Sequence, residues 1–112
     1  MKFIPSIAAD IFKALSDEHR LKMLDFIATR DPDAGRTGEG ICACDVQDFI
    51  GLAQPTVSQH LRILVDAGLL AVERRGKWNY YTLNAKGFTS AQKVMEHFQE
   101  LAPAAKKLRH AS

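Results

Sequence analysis

The chain has 112 residues, a formal net charge of +2, and 46% hydrophobic and 25% charged residues, the profile of one globular domain with too little length for a deep substrate cavity. The weak basic charge does not by itself announce a nucleic-acid partner. No apolar run reaches the roughly 18 to 20 residues that span a bilayer, and the N-terminal MKFIPSIAAD lacks the apolar stretch and small-residue cleavage site of a secretory signal, so a cytoplasmic protein with no membrane partner is expected.

Pro5 suits the first turn of a helix, and Ile7, Ile11, Phe12 and Leu15 follow at helical spacing. Ser16 is placed to cap a second helix, whose first turn carries Asp17 and Glu18 and whose apolar stripe is Leu21, Leu24, Ile27 and Ala28, ending near Thr29. Arg30 to Gly40 mixes proline, glycine and charge without period, which predicts a mobile loop. Val46, Phe49 and Ile50 predict a short third helix within Ile41 to Ile50, stopped by Gly51. Gln54 to Ala67 predicts a fourth, with Pro55 in its first turn, Val57, Leu61 and Leu64 on one face and Gly68 closing it.

The period then changes from helix to strand. Leu69 to Glu73 and Trp78 to Leu83 are rich in β-branched, aliphatic and aromatic residues, and Arg74-Arg75-Gly76-Lys77 between them predicts a hairpin turn. Thr89 with Gln92 has capping-box spacing for a last helix carrying Val94, Met95, Phe98 and Leu101. Pro103 should end it, leaving Pro103 to Ser112 as a tail made basic by Lys106, Lys107 and Arg109. The expected fold is mainly α with a small β-hairpin, in the order α-α-α-α-β-β-α, as a single domain over residues 1–112.

Two short helices joined around a glycine and followed by a basic hairpin is the order of a winged helix-turn-helix. In the fourth helix, 100° steps turn Val57, Leu61 and Leu64 inward and leave Pro55, Ser58, Gln59 and Arg62 near the opposite face. Glutamine pairs with adenine, arginine with guanine, and serine donates or accepts, so the segment from Gln54 to Leu64 is the candidate for reading double-stranded DNA. Arg74, Arg75 and Lys77 are candidates for phosphate contacts.

The stretch QPTVSQHLRILVDAGLLAVERRGKWNYYTL resembles the core of the ArsR/SmtB family of bacterial metal-responsive repressors, through its Val-Ser-x-His-Leu run, its Gly-Leu-Leu lead into the wing and its Gly-Lys-x-x-x-Tyr return strand. The similarity extends from about Ile11 to Leu101. It implies a homodimer joined by the first and last helices, a repressor's action on operator DNA, and Gln54, Thr56, Ser58, Gln59 and His60 in the region that approaches it. His60 lies toward the inner flank, where it is equally suited to DNA contact or to a structural hydrogen bond.

Ile41-Cys42-Ala43-Cys44-Asp45-Val46 is similar to the family's metal box, Leu-Cys-Val-Cys-Asp-Leu. A disulfide between such near neighbours would be strained, and thiolates are soft ligands for trivalent arsenic and antimony, or for zinc, cadmium and lead. The third box cysteine that many arsenic sensors of the family carry is Gln47 here, and residues 1–41 supply none of the extra cysteines that its cadmium and lead sensors recruit. The family's zinc site on the last helix is not matched either, since His97 follows Glu96 without an aspartate at the required spacing and His110 lies beyond Pro103. The two-thiolate set of Cys42 and Cys44 therefore points to As(III) or Sb(III) as inducer, with no organic cofactor. Alternatives are a thiol-redox switch, cysteines that merely fill space, or a regulator without a ligand. An enzyme is not expected, because no phosphate loop or carboxylate pair with a pocket is evident.

Overall fold

The computed structural model describes residues 3–104, so the basic residues Lys106, Lys107 and Arg109, His110 and most of the expected tail lie outside the described residues. Helix α1 (Pro5–Leu15) has proline in its first turn and buries Ala8, Ile11 and Ala14. Ser16 closes this helix rather than opening the next, its hydroxyl donating to the Lys13 carbonyl at 2.8 Å. Asp17 instead caps α2 (Glu18–Thr29), its carboxylate accepting from the Arg20 amide at 3.1 Å, because a carboxylate meets both the free amides and the positive end of the helix dipole. The buried stripe of α2 is Met23, Leu24 and Ile27. Leu21 and Ala28, expected inside, are exposed, since residues two apart on a helix point about 200° away from each other and Met23 takes the inward position.

The Arg30 to Gly40 stretch was expected as a mobile loop, but it is tethered. A 3-10 turn, Pro32–Ala34, is followed by an Arg36 amide bonded to Asp45 Oδ1 at 2.8 Å, and the Arg36 guanidinium pairs with Asp48. Helix α3 (Ala43–Ile50) starts directly after it and ends at Gly51, whose φ of 74° is the left-handed conformation that glycine adopts without cost. Helix α4 (Gln54–Asp66) follows and buries Val57, Leu61 and Leu64 as its wheel requires. Strands β1 (Leu70–Arg75) and β2 (Trp78–Leu83) form an antiparallel hairpin with Leu70 opposite Leu83 and Arg75 opposite Trp78. Only Gly76 and Lys77 remain in the turn. Gly76 has a φ of 61° and among the described residues no non-glycine residue has a positive φ, the pattern of a type II′ turn, so Arg74 and Arg75 belong to the strand and not to the turn.

Helix α5 (Ala85–Leu101) begins four residues before Thr89, capped by Asn84, whose side-chain oxygen accepts from the Lys86 amide at 3.0 Å. The early start is allowed by Gly87, whose amide donates to the Gly68 carbonyl at 2.8 Å. Residues of α1, α2, α3 and α4 meet Leu69 and Leu70 in one core that includes Ile11, Met23, Val46, Leu61 and Leu64. No helix among the described residues is long and apolar enough to cross a membrane.

A Cβ on Gly87 would lie 2.4 Å from the Gly68 carbonyl oxygen, whereas one on Gly51 would meet nothing within 4 Å. Alanine ordinarily gains about 1 kcal/mol over glycine inside a helix. Gly87→Ala is expected to reverse that sign and destabilise by about 3 kcal/mol through overpacking against backbone, and Gly51→Ala to cost about 1 to 2 kcal/mol from its left-handed backbone alone. Urea unfolding of the three proteins checks the order.

Candidate nucleic-acid interface and thiol site

Gln54, Thr56, Ser58, Gln59 and Arg62 are all exposed along α4, opposite its buried Val57, Leu61 and Leu64. Two of them are preset by neighbours: Gln54 Nε2 donates to Ser58 Oγ at 2.9 Å, and Arg62 Nε lies 3.8 Å from Asp66 one helical turn on. An exposed pair of that kind is worth little and is readily exchanged for another anion. His60 is half-buried, and its Nδ1 accepts from Arg20 Nη1 at 3.0 Å. Arg20 also donates to the carbonyls of Ala14, at 2.7 Å, and Lys13, at 3.0 Å. One guanidinium thus joins the end of α1 to α4 through His60, a link hidden from the sequence by the 40 positions between its ends.

The three hairpin cations do different work. Strand alternation puts Arg74 and Arg75 on opposite faces. Arg75 is committed to the protein: Nε pairs with Glu73 at 2.9 Å, Nη2 donates to the Glu39 carbonyl at 2.9 Å, and the guanidinium carbon sits 4.0 Å above the Tyr80 ring centroid. Arg74 Nε donates to the Gly76 carbonyl at 3.0 Å, which stiffens the turn. Lys77, at the tip, lies 5.5 Å from the Trp78 ring centroid.

Cys42 and Cys44 straddle the start of α3. Cys42 is the cap residue, with extended φ and ψ of −91° and 169°, is 1% exposed and pairs with Tyr80 of β2 in an isolated antiparallel bridge. Cys44 is the second residue of the helix and half-buried. Asp45 binds this segment together. Its Oδ2 accepts from the Cys42 amide at 3.0 Å and from the Cys42 thiol at 3.3 Å, while Oδ1 takes the Arg36 amide. Burial pushes the Cys42 thiol above its ordinary pKa. Partial burial also opposes ionisation of Asp45, but the amide donors of Cys42 and Arg36 outweigh it and hold this carboxyl below the usual carboxylate range. Neither Asp45 nor Tyr80 stood out as a functional residue in the sequence. The Cys42-x-x-Asp45 spacing, that of a capping box with cysteine in the cap, was the available signal for the first. Tyr80, whose hydroxyl donates to Thr37 Oγ1 at 2.9 Å, had none.

Residues 15–73 match a helix-turn-helix domain family. The chain is 40% identical over 73 residues to the arsenical resistance operon repressor of Bacillus subtilis, covering 65% of this chain and 62% of that protein, so it spans less than two thirds of that relative's length. Among solved structures, an ArsR family transcriptional regulator superposes with a TM-score of 0.73 at 21% identity over 90% of this chain and 95% of that one. A homodimeric winged helix-turn-helix DNA-binding domain of Mycobacterium bovis superposes with a TM-score of 0.59 at 21% identity over 96% and 88%, and at such identities both report the fold. With the matched helix-turn-helix domain covering more than half its length and an arsenical resistance repressor 40% identical to it, the chain belongs to the ArsR family of helix-turn-helix transcriptional regulators.

Proposed function

We propose that this chain represses transcription by binding operator DNA as a homodimer and leaves it when trivalent arsenic or antimony occupies Cys42 and Cys44. The observation that carries the reading is the double attachment of Cys42, whose thiol is held by Asp45 in α3 and whose backbone bridges to Tyr80 in the hairpin. A soft ion brings positions that suit two thiolates, with water or a small thiol completing the set. Because Cys42 stands outside the helix in extended backbone, the 200° divergence of residues two apart within a helix does not apply to the pair. A Cys42 sulfur engaged elsewhere no longer donates to Asp45. The carboxylate then faces sulfur lone pairs, and its hold on Arg36 and the loop loosens. Through Thr37–Tyr80 and Glu39–Arg75 that change reaches the hairpin.

The homodimer rests on apolar surface. Met95 is 61% exposed, Phe98 54% and Leu101 70%, and Ile4, the cap of α1, and Ile7 within it are exposed too, whereas Val94 of the last helix is already buried within the protomer. Sedimentation at micromolar concentration should give a dimer, and Met95→Glu with Leu101→Glu should shift it to monomer without loss of helix content. A wild-type chain that sediments only as monomer would overturn this arrangement.

Gln59→Ala and Arg62→Ala should each weaken binding to a duplex selected from a random pool by about 1 to 3 kcal/mol and binding to arbitrary DNA far less. Lys77→Ala should weaken both alike and lower the salt slope by about one. Arg75→Ala, by freeing the loop, should do more than remove one phosphate contact. Anisotropy titrations at several salt concentrations distinguish these patterns, and equal losses on both DNAs for Gln59→Ala and Arg62→Ala would contradict base readout.

In the same assay arsenite should release wild-type protein from the selected duplex. A tenfold preference per thiol pair for the unbound state, about 1.4 kcal/mol, amounts to roughly a hundredfold in DNA affinity for two occupied sites. Cys42→Ser and Cys44→Ser should bind DNA and ignore arsenite, whereas Asp45→Asn should bind arsenite with a smaller change in DNA affinity. Full arsenite release by either serine variant would sink the two-thiolate reading.

A further inference from the structure

Away from the thiols, Asp17, His19 and His60 converge so that one ligand-type atom of each lies within 4.8 Å of the others, and among the described residues no other three of His, Cys, Asp and Glu do so. We propose that these three side chains form a second ion site, for a divalent cation of the zinc, cobalt or nickel class. Two imidazoles and a carboxylate are the borderline nitrogen and oxygen donors that such ions prefer, and three protein ligands with one open position for water make a common tetrahedral set.

The local backbone explains how Asp17 and His19 can act together. Within a helix, residues two apart diverge, but Asp17 is the cap of α2, with extended φ and ψ of −106° and 129°, and its Oδ1 lies 3.9 Å from His19 Nδ1. The third ligand arrives from another element, with the His60 ring centroid 6.1 Å from that of His19. The site is open to solvent, since the His19 and Asp17 side chains are 46% and 34% exposed.

Arg20 stands in competition. A guanidinium only donates, so the Nδ1 lone pair of His60 already serves Arg20 Nη1 at 3.0 Å. A cation at Nδ1 displaces that donor, and a cation at Nε2 moves the ring proton to Nδ1, where it faces Arg20. In either case Arg20 gives up one bond and keeps the two to the Ala14 and Lys13 carbonyls. The protein thus exchanges its own cation for a metal at the contact between the start of α2 and α4.

The test uses the full chain carrying Cys42→Ser and Cys44→Ser, titrated with Zn²⁺ and Co²⁺ alone. The proposal does not rest on the thiol reading, and this background removes both thiols, so the outcome bears on this site only. One ion should bind per protomer, and cobalt should show weak visible ligand-field bands without a sulfur charge-transfer band. His19→Gln and Asp17→Asn, each added to that background, should weaken binding by about tenfold or more, the range seen even when supporting groups of a metal site are lost. Asparagine caps a helix about as well as aspartate and His19 is half-exposed, so both proteins should melt as the parent does. Absence of saturable binding in the double-serine chain, or an affinity indifferent to either added variant, overturns the three-ligand site.

Discussion

Three donors meet on the carboxylate of Asp45: the amide and thiol of Cys42 and the amide of Arg36. Around that meeting point the start of α3, the loop before it and the hairpin become one polar assembly. Together with the Arg36–Asp48 pair it fixes the loop where Thr37 and Glu39 meet Tyr80 and Arg75. Gly35 shows how tightly the loop is drawn in, because a Cβ there would lie 2.3 Å from the Gly40 carbonyl oxygen and 2.8 Å from Asp45 Oδ2. Hydrogen bonds to an ionised acceptor are stronger than neutral ones, so a short loop rich in glycine can be ordered without a core of its own.

Much of this was legible in the amino-acid sequence, and the boundary of legibility is physical. The helical faces of α1 and α4, the glycine stop at Gly51 and the hairpin strands follow from periodicity and turn chemistry, which act over a few residues. Misreadings occurred where two local solutions competed. Ser16 and Asp17 could both cap α2, and the one that fits the α1 terminus better was used there. Thr89 with Gln92 has cap spacing, yet Asn84 offers a cap one turn earlier and Gly87 lets the helix pass under Gly68. A glycine needed for close approach looks the same in sequence as one that merely weakens a helix.

The candidate site divides similarly. Exposed polar residues of α4 were predictable from a wheel, whereas the roles of Arg75 and His60 depend on partners 36 and 40 residues away. Charge alone grouped Arg74, Arg75 and Lys77. Register separated them, leaving one cation to hold the protein together and the others at or near the turn. Cys42 stood out by its thiol, but its place as a cap residue in extended backbone, bridged to Tyr80, depends on a partner 38 residues away and was not legible.

The hairpin is anchored at its base and tied near its tip by the Arg75 bond to the Glu39 carbonyl. Leu69 accepts the Asn84 amide at 3.0 Å just below the strands, and Gly68 accepts Gly87 beneath them, while among the described residues no such bond holds Lys77 from outside the turn. The bridge to Cys42 grips β2 at Tyr80, midway between Leu83 at the base and Lys77 at the tip. At about 3.3 Å per strand residue, the grip is roughly 10 Å from the fulcrum and the tip roughly 20 Å. A hairpin that turned as a rigid body about its base would carry Lys77 about twice as far as Tyr80, and with it the loop that Arg75 holds through the Glu39 carbonyl.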